Sequence, residues 1–257
     1  VRGYVLAALC VVALTPPGVA ATPQLVLPWG RYAVRIEAPT REGQEARILS
    51  GGRTQVRIRG WRLEASLVEV TGRPPKELLV TDWSGGAHCC YSHYLFTQEG
   101  GLRNLMAAGW HDGGIREVQD LDGDGRGELV TVLVLAYFGG LSFAHSPGVV
   151  LVYAYDGMQL YDATRRLSAP TLRQMRADRT AFLRARRSGD VEAMKGHALG
   201  YWTNALVVGR GVEAKRWLMR NAPVEVRRWL LANAEAVLKL TSAVPVSYRR
   251  TLPDENR

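Results

Sequence analysis

Asp120-Leu121-Asp122-Gly123-Asp124-Gly125-Arg126-Gly127-Glu128 runs straight into Leu129-Val130-Thr131-Val132-Leu133-Val134-Leu135. Side-chain oxygens stand at the first, third, fifth and ninth positions of the acidic stretch, and its glycines let the backbone turn tightly between them. A calcium ion needs such a pattern, because it collects six to eight oxygen ligands at ~2.4 Å. The apolar, β-branched run that follows reads as a strand. The stretch is therefore a loop that wraps a hard cation and then launches a strand. An EF-hand would need a bidentate acid at the twelfth position and a helix on the exit side. Thr131 stands at the twelfth position and a strand pattern follows, so both requirements fail. An acidic turn that binds nothing is the remaining reading, and it leaves four carboxylates repelling one another without a counter-ion.

The same design occurs 51 residues earlier. Glu69-Val-Thr-Gly-Arg-Pro-Pro-Lys-Glu77-Leu-Leu-Val80 aligns with Asp120-Leu-Asp-Gly-Asp-Gly-Arg-Gly-Glu128-Leu-Val-Thr131. Each loop leads into an apolar strand, a Gly-Gly pair (Gly85-Gly86, Gly139-Gly140), a second strand and an acidic-glycine turn (Glu99-Gly-Gly101, Asp156-Gly157). A unit of about fifty residues is the size of one propeller blade. In the first copy Thr71 and Arg73 replace Asp122 and Asp124, and a cationic side chain in the loop repels an ion, so one cation site is expected.

Asp-x-Asp-Gly-Asp-Gly-x-x-Glu-Leu-Val resembles the calcium loop of FG-GAP or VCBS repeats, the units of integrin α-type β-propellers. The resemblance implies one structural Ca²⁺ held by Asp120, Asp122, Asp124 and Glu128 with the Arg126 carbonyl. It spans roughly residues 64–162, strongly at one loop and weakly at the other. A closed propeller takes at least four blades, whereas this chain yields two, or three if the N-terminal strands form another. The expected fold class is α+β: a blade-like β-rich region of two to three repeats over about 30–163, then a helical region over 165–240.

Upstream, residues 1–21 join one basic residue, a short apolar run and small residues, the pattern of a secretory signal cut after Ala20 or Ala21. Cys10 sits inside the apolar run behind a poor lipobox. Thr22 to Gly30 reads as an unstructured leader, Tyr32–Glu37 as a half-buried strand, and Ala46–Leu49 with Thr54–Arg59 as a hairpin around Ser50-Gly-Gly52. Beyond Ala163 the apolar period lengthens to that of helices. Leu172, Met175 and Phe182 mark the first, Val191 to Ala205 the second, Val212 to Arg220 the third, and Val226 to Leu240 the fourth; Thr241 to Arg257 reads as a loose tail.

Charge divides the same way. Residues 165–257 hold 19 basic and 8 acidic side chains, a net +11, while residues 22–164 carry a net −3. The basic half could meet an anionic surface, a membrane included. Its arginines are spread around the helices, however, so a solvated surface is the plainer reading, and export argues against nucleic acid.

His88, Cys89, Cys90 and His93 form the second candidate site, in Asp82-Trp-Ser-Gly-Gly-Ala-His-Cys-Cys-Tyr-Ser-His93. Strand alternation puts His88 and Cys90 on one face and Cys89 and His93 on the other, which opposes a single tetrahedral zinc site. A thiol nucleophile with a histidine base and Asp82 as orienter, a vicinal disulfide, two free thiols and an intermolecular bridge all stay open. His111-Asp112 adds a histidine that could fold nearby. No Gly-x-Ser-x-Gly elbow or phosphate-binding glycine loop is present in the sequence. The expectation is an exported, extracytoplasmic, calcium-stabilised binding or adhesion-type module. It is non-enzymatic, with an unknown protein or envelope polymer as partner and oligomerisation open. The alternative is a metal- or thiol-dependent envelope enzyme using the His/Cys segment.

Overall fold

The computed structural model describes residues 23–86, 90–106 and 113–242. The expected signal segment, His88, Cys89, His111, Asp112 and the tail after Ser242 lie outside them. Among the described residues, twelve strands form three four-stranded antiparallel meanders, each in chain order. The first holds β1 (Pro23–Trp29), β2 (Tyr32–Glu37), β3 (Gln44–Ser50) and β4 (Arg53–Gly60). The second holds β5 (Arg62–Val68), β6 (Glu77–Trp83), β7 (Tyr91–Thr97) and β8 (Arg103–Asn104), and the third β9 (Gly113–Gln119), β10 (Glu128–Val134), β11 (Gly148–Tyr155) and β12 (Leu160–Asp162). Five α-helices follow among the described residues: α1 (Ala169–Ser188), α2 (Val191–Val207), α3 (Gly211–Asn221), α4 (Val224–Ala232) and α5 (Ala234–Ser242). The α+β class therefore holds, with three sheets.

Two local expectations are corrected. The leader read into Thr22 to Gly30 is strand β1 over Pro23–Trp29, paired with β2 from Trp29↔Tyr32 onward. Trp29 anchors it, buried and donating its indole N–H to the Lys76 carbonyl (2.7 Å). The fourth helix is two, broken at Asn233, whose side-chain amide donates to the Trp229 carbonyl (2.8 Å). Asparagine bonds its local backbone in this way and so competes with helix continuation.

The sheets stack face to face. Val34, Ile36, Ala46, Ile48, Val56 and Ile58 of the first sheet close on Leu63, Leu78, Val80 and Phe96 of the second. The opposite face of the second, through Leu79 and Leu95, shares a core with Leu129, Leu151 and Tyr153 of the third. The first five residues of β10 are all buried. A central strand covered on both faces is what an unbroken apolar run encodes. The outer face of the first sheet is charged instead, with Arg47, Arg57 and Arg59 gathered on Glu45 and Arg35 on Glu37.

β12 is short and pairs only with Tyr153 to Tyr155, which leaves residues 148–152 of β11 without a strand partner on that side. Helical and connector residues supply the missing bonds. The Asn204 amide oxygen accepts from the Val150 N–H (2.9 Å), and its NH₂ donates to the Gly148 carbonyl (2.9 Å). Thr171 Oγ1 donates to the Val150 carbonyl (2.8 Å), and Thr164 Oγ1 accepts from the Val152 N–H (3.0 Å). Asp178 of α1, buried against α2, accepts from Gln174 (3.0 Å) and from the Asn204 NH₂ (3.2 Å), so it fixes the amide that caps the edge. Burial pushes its carboxyl up to about 7, against the hydrogen bonds from Gln174 and Asn204.

Replacing Asn204 with Ala leaves the Val150 N–H buried without its acceptor. A loss of about 1–3 kcal/mol is expected, read as a lower urea midpoint. Asp178 binds its proton more tightly folded than unfolded, so stability falls as pH rises from about 4 to about 7. Asp178→Asn should flatten that fall, which is at most about 1.4 kcal/mol per pH unit, measured as urea midpoint against pH.

Candidate metal loop and its neighbour

The two loops aligned in the sequence occupy corresponding connections. Residues 69–76 join β5 to β6 and residues 120–127 join β9 to β10, the same connection in consecutive sheets. In both, the first acid organises the turn. Glu69 Oε1 accepts from the Gly72 N–H (2.9 Å), and Asp120 Oδ1 from the Gly123 N–H (2.7 Å). Gly72 and Gly123 both take positive φ, 72° and 80°, where a side chain is strained. The loops also touch. A Cβ on Gly127 would lie 1.9 Å from the Glu69 carbonyl oxygen, so that position tolerates only glycine.

The glutamate that ends each loop is where they part. Glu77 is 1 % exposed and carries four hydrogen bonds. Two come from the Val70 and Thr71 amides (2.9 and 3.0 Å) and two from the hydroxyls of Thr71 (2.9 Å) and Thr97 (3.1 Å). Glu128 is 2 % exposed, and its donor among the described residues is the Leu121 amide (2.8 Å). Asp122 stands where Thr71 stands, and strand register puts Ala154 where Thr97 lies. Both hydroxyls are therefore gone. Burial foremost, then Asp122, Asp124 and Asp120, raises the Glu128 carboxyl above the ordinary range.

Asp120, Asp122 and Asp124 are exposed and bring carboxylate oxygens within 4.8 Å of one another. That spread is about twice a Ca–O bond, so the three fit around one such ion. Glu128 lies behind them, outside this group. The Gly125 amide foremost, with those of Gly123, Asp124 and Asp122, holds the Asp120 carboxyl below its usual value. Asp124 Oδ1 accepts from the Arg126 N–H (2.8 Å), and the Arg126 guanidinium reaches the Tyr155 carbonyl (3.3 Å). Arg166 donates to Asp122 Oδ2 (2.6 Å) from the connector to α1. Sequence reasoning missed this contact, since 44 residues and no local pattern link the two. In the first loop Arg73, at the Asp124 position, pairs with Glu99 (2.6 Å).

The second candidate segment closes the β6–β7 hairpin. Ser84 and Cys90 bond through Ser84 N–H to Cys90 O (3.1 Å) and Cys90 N–H to Ser84 Oγ (3.0 Å). Cys90 is disulfide-bonded, and the only other cysteines, Cys10 and Cys89, fall outside the described residues. His93 is buried and stacked on Tyr91. Its Nε2 accepts from the Ile115 N–H (3.2 Å), which makes Nδ1 the protonated nitrogen facing Thr81 Oγ1 (3.1 Å). Asp82 belongs to the opposite face of β6, where it accepts from the Trp61 and Arg62 amides (2.8 and 3.2 Å) and turns the chain from β4 into β5. Asp82 and His93 are thus not brought together.

Comparison with protein families, curated proteins and solved structures finds no match to this chain.

The Thr71→Val, Thr97→Val double variant removes both hydroxyls from a buried carboxylate. It should lose about 1.5–3 kcal/mol for each hydrogen bond, seen in urea unfolding.

Proposed function

We propose that this chain is an extracytoplasmic, calcium-stabilised binding module without enzymatic activity, built from blades of the FG-GAP/VCBS type with a helical cap. The observation that carries the reading is the contrast between two buried glutamates at one point of the repeat. Where Glu77 is satisfied by threonine hydroxyls, Glu128 is backed by three aspartates, so a positive charge in front of it would favour its ionised form. A divalent ion among Asp120, Asp122 and Asp124 would supply it, with the Arg126 carbonyl and Glu128 completing the set that the resemblance implies. The ion's contribution would be to neutralise the loop and fix the entry of β10, stabilising the folded state by preferential binding. Arg166 on Asp122 stands in for part of that charge.

The disulfide at Cys90 fits an oxidising compartment. Among the described residues no helix is long and apolar enough to cross a membrane. The rival thiol or metal chemistry at His88, Cys89, Cys90 and His93 has less support, because Cys90 is disulfide-bonded and both His93 ring nitrogens face protein partners.

At pH 7, excess calcium should raise the melting temperature by several degrees over an EDTA-treated sample. An Asp122→Ala, Asp124→Ala variant should melt at one temperature in both. Indifference of the wild-type protein to calcium removes the reading.

A further inference from the structure

Strand register builds an unusual surface on the second sheet. Arg62 of β5, Trp83 of β6 and Tyr91 of β7 form one cross-strand row; Glu64, Thr81 and His93 form the next. Leu79 and Leu95, further along this face, are covered by the third sheet; at the Arg62 row β9 comes up to the base of Tyr91 through Gly114, while Arg62 itself is exposed. Two adjoining depressions of about 280 and 440 Å³ share Arg62, Glu64 and Trp83, and together they wrap the free edge of β5. Trp61, 52 % exposed, walls the far side, and Tyr91 is exposed on the near side.

Singly exposed apolar residues are ordinary, but here each depression has two aromatic walls, Trp83 with Tyr91 in one and Trp83 with Trp61 in the other. A site with aromatic walls and a few fixed polar groups is the form a small-ligand pocket takes. The polar groups narrow the ligand. Arg62 and Glu64 approach each other (3.6 Å), and the guanidinium also lies 6.0 Å from the Trp83 ring centre, so the floor presents donors and acceptors without net charge. The Trp61 indole packs its Nε1 edge against Gly85, and the Trp83 ring lines both depressions.

We infer that the Trp61–Trp83–Tyr91 groove at the free edge of β5 binds an uncharged carbohydrate segment. A pyranose ring presents a face of C–H groups, which pack on aromatic rings, and an edge of hydroxyls, which both donate and accept. Glu64 accepts from ligand hydroxyls, Arg62 donates to them, and the rings hold the C–H face. This deepens the binding-module reading by naming the ligand class, and it does not depend on the calcium loop.

The test uses the full chain and a panel of chitotriose, cellotriose, xylotriose and mannotriose, followed by tryptophan fluorescence and calorimetry. At least one saccharide should bind saturably at millimolar concentration or below. Trp61→Ala and Trp83→Ala should each weaken it at least about tenfold, equivalent to ~1.4 kcal/mol, and a Val26→Ala control should leave it unchanged. If Trp83→Ala fails to fold, Trp61→Ala and Glu64→Gln, at exposed positions, carry the test. Absence of binding across the panel, or binding indifferent to these substitutions, overturns the assignment. Parallel melting in calcium and EDTA reports on the metal loop separately, so saccharide binding by a calcium-indifferent protein removes that reading and keeps this one.

Discussion

The peptide groups of Gly148, Val150 and Val152 sit on an edge of β11 that β12 is too short to cover. Buried N–H and C=O groups without partners cost more than the bonds themselves stabilise. The arrangement of the second half follows from that constraint. Thr164, Thr171 and Asn204 are spaced so that a connector, the start of α1 and the last turn of α2 each deliver one polar side chain to the strand. Fixing Asn204 then requires Asp178, a buried acid that two amides hold in place. The helices therefore complete the third sheet in addition to packing on it. A β-sheet edge finished by side chains is also closed to pairing with another strand.

Within the sheets, one connection is solved twice. Both loops place an acid at the start, a glycine of positive φ at the fourth position and a buried glutamate at the end. The first loop solvates its glutamate with hydroxyls and sends its arginine outward to Glu99; the second gathers further acids and borrows Arg166. Since the Gly127 backbone is pressed against the Glu69 carbonyl, the conformation of one loop limits the other.

Much of this was legible before any coordinates. The 51-residue offset located the shared loop, and alternation followed by a longer period separated sheets from helices. The Asp-rich spacing identified the three carboxylates that do converge. What escaped depends on tertiary partners. β1 contains two prolines and little alternation, and it is a strand because β2 and the Trp29 anchor make it one. The break at Asn233 hides inside a continuous apolar period. Arg166, Asn204 and Trp61 carry no local signal, since each acts on residues far away in sequence. Trp83 and Tyr91 could have been placed on one face from hairpin register, but the exposure of that face could not.

Arg35, Arg47, Arg57 and Arg59, with Glu37 and Glu45, cover the outer face of the first sheet. Repeating units that stack through carbon tend to keep stacking, one molecule continuing where another stops. Here a newcomer would have to strip water from a lattice of ion pairs and would gain little apolar contact in return. The lattice contributes little to holding one chain together, yet it closes this end of the pile to a further layer.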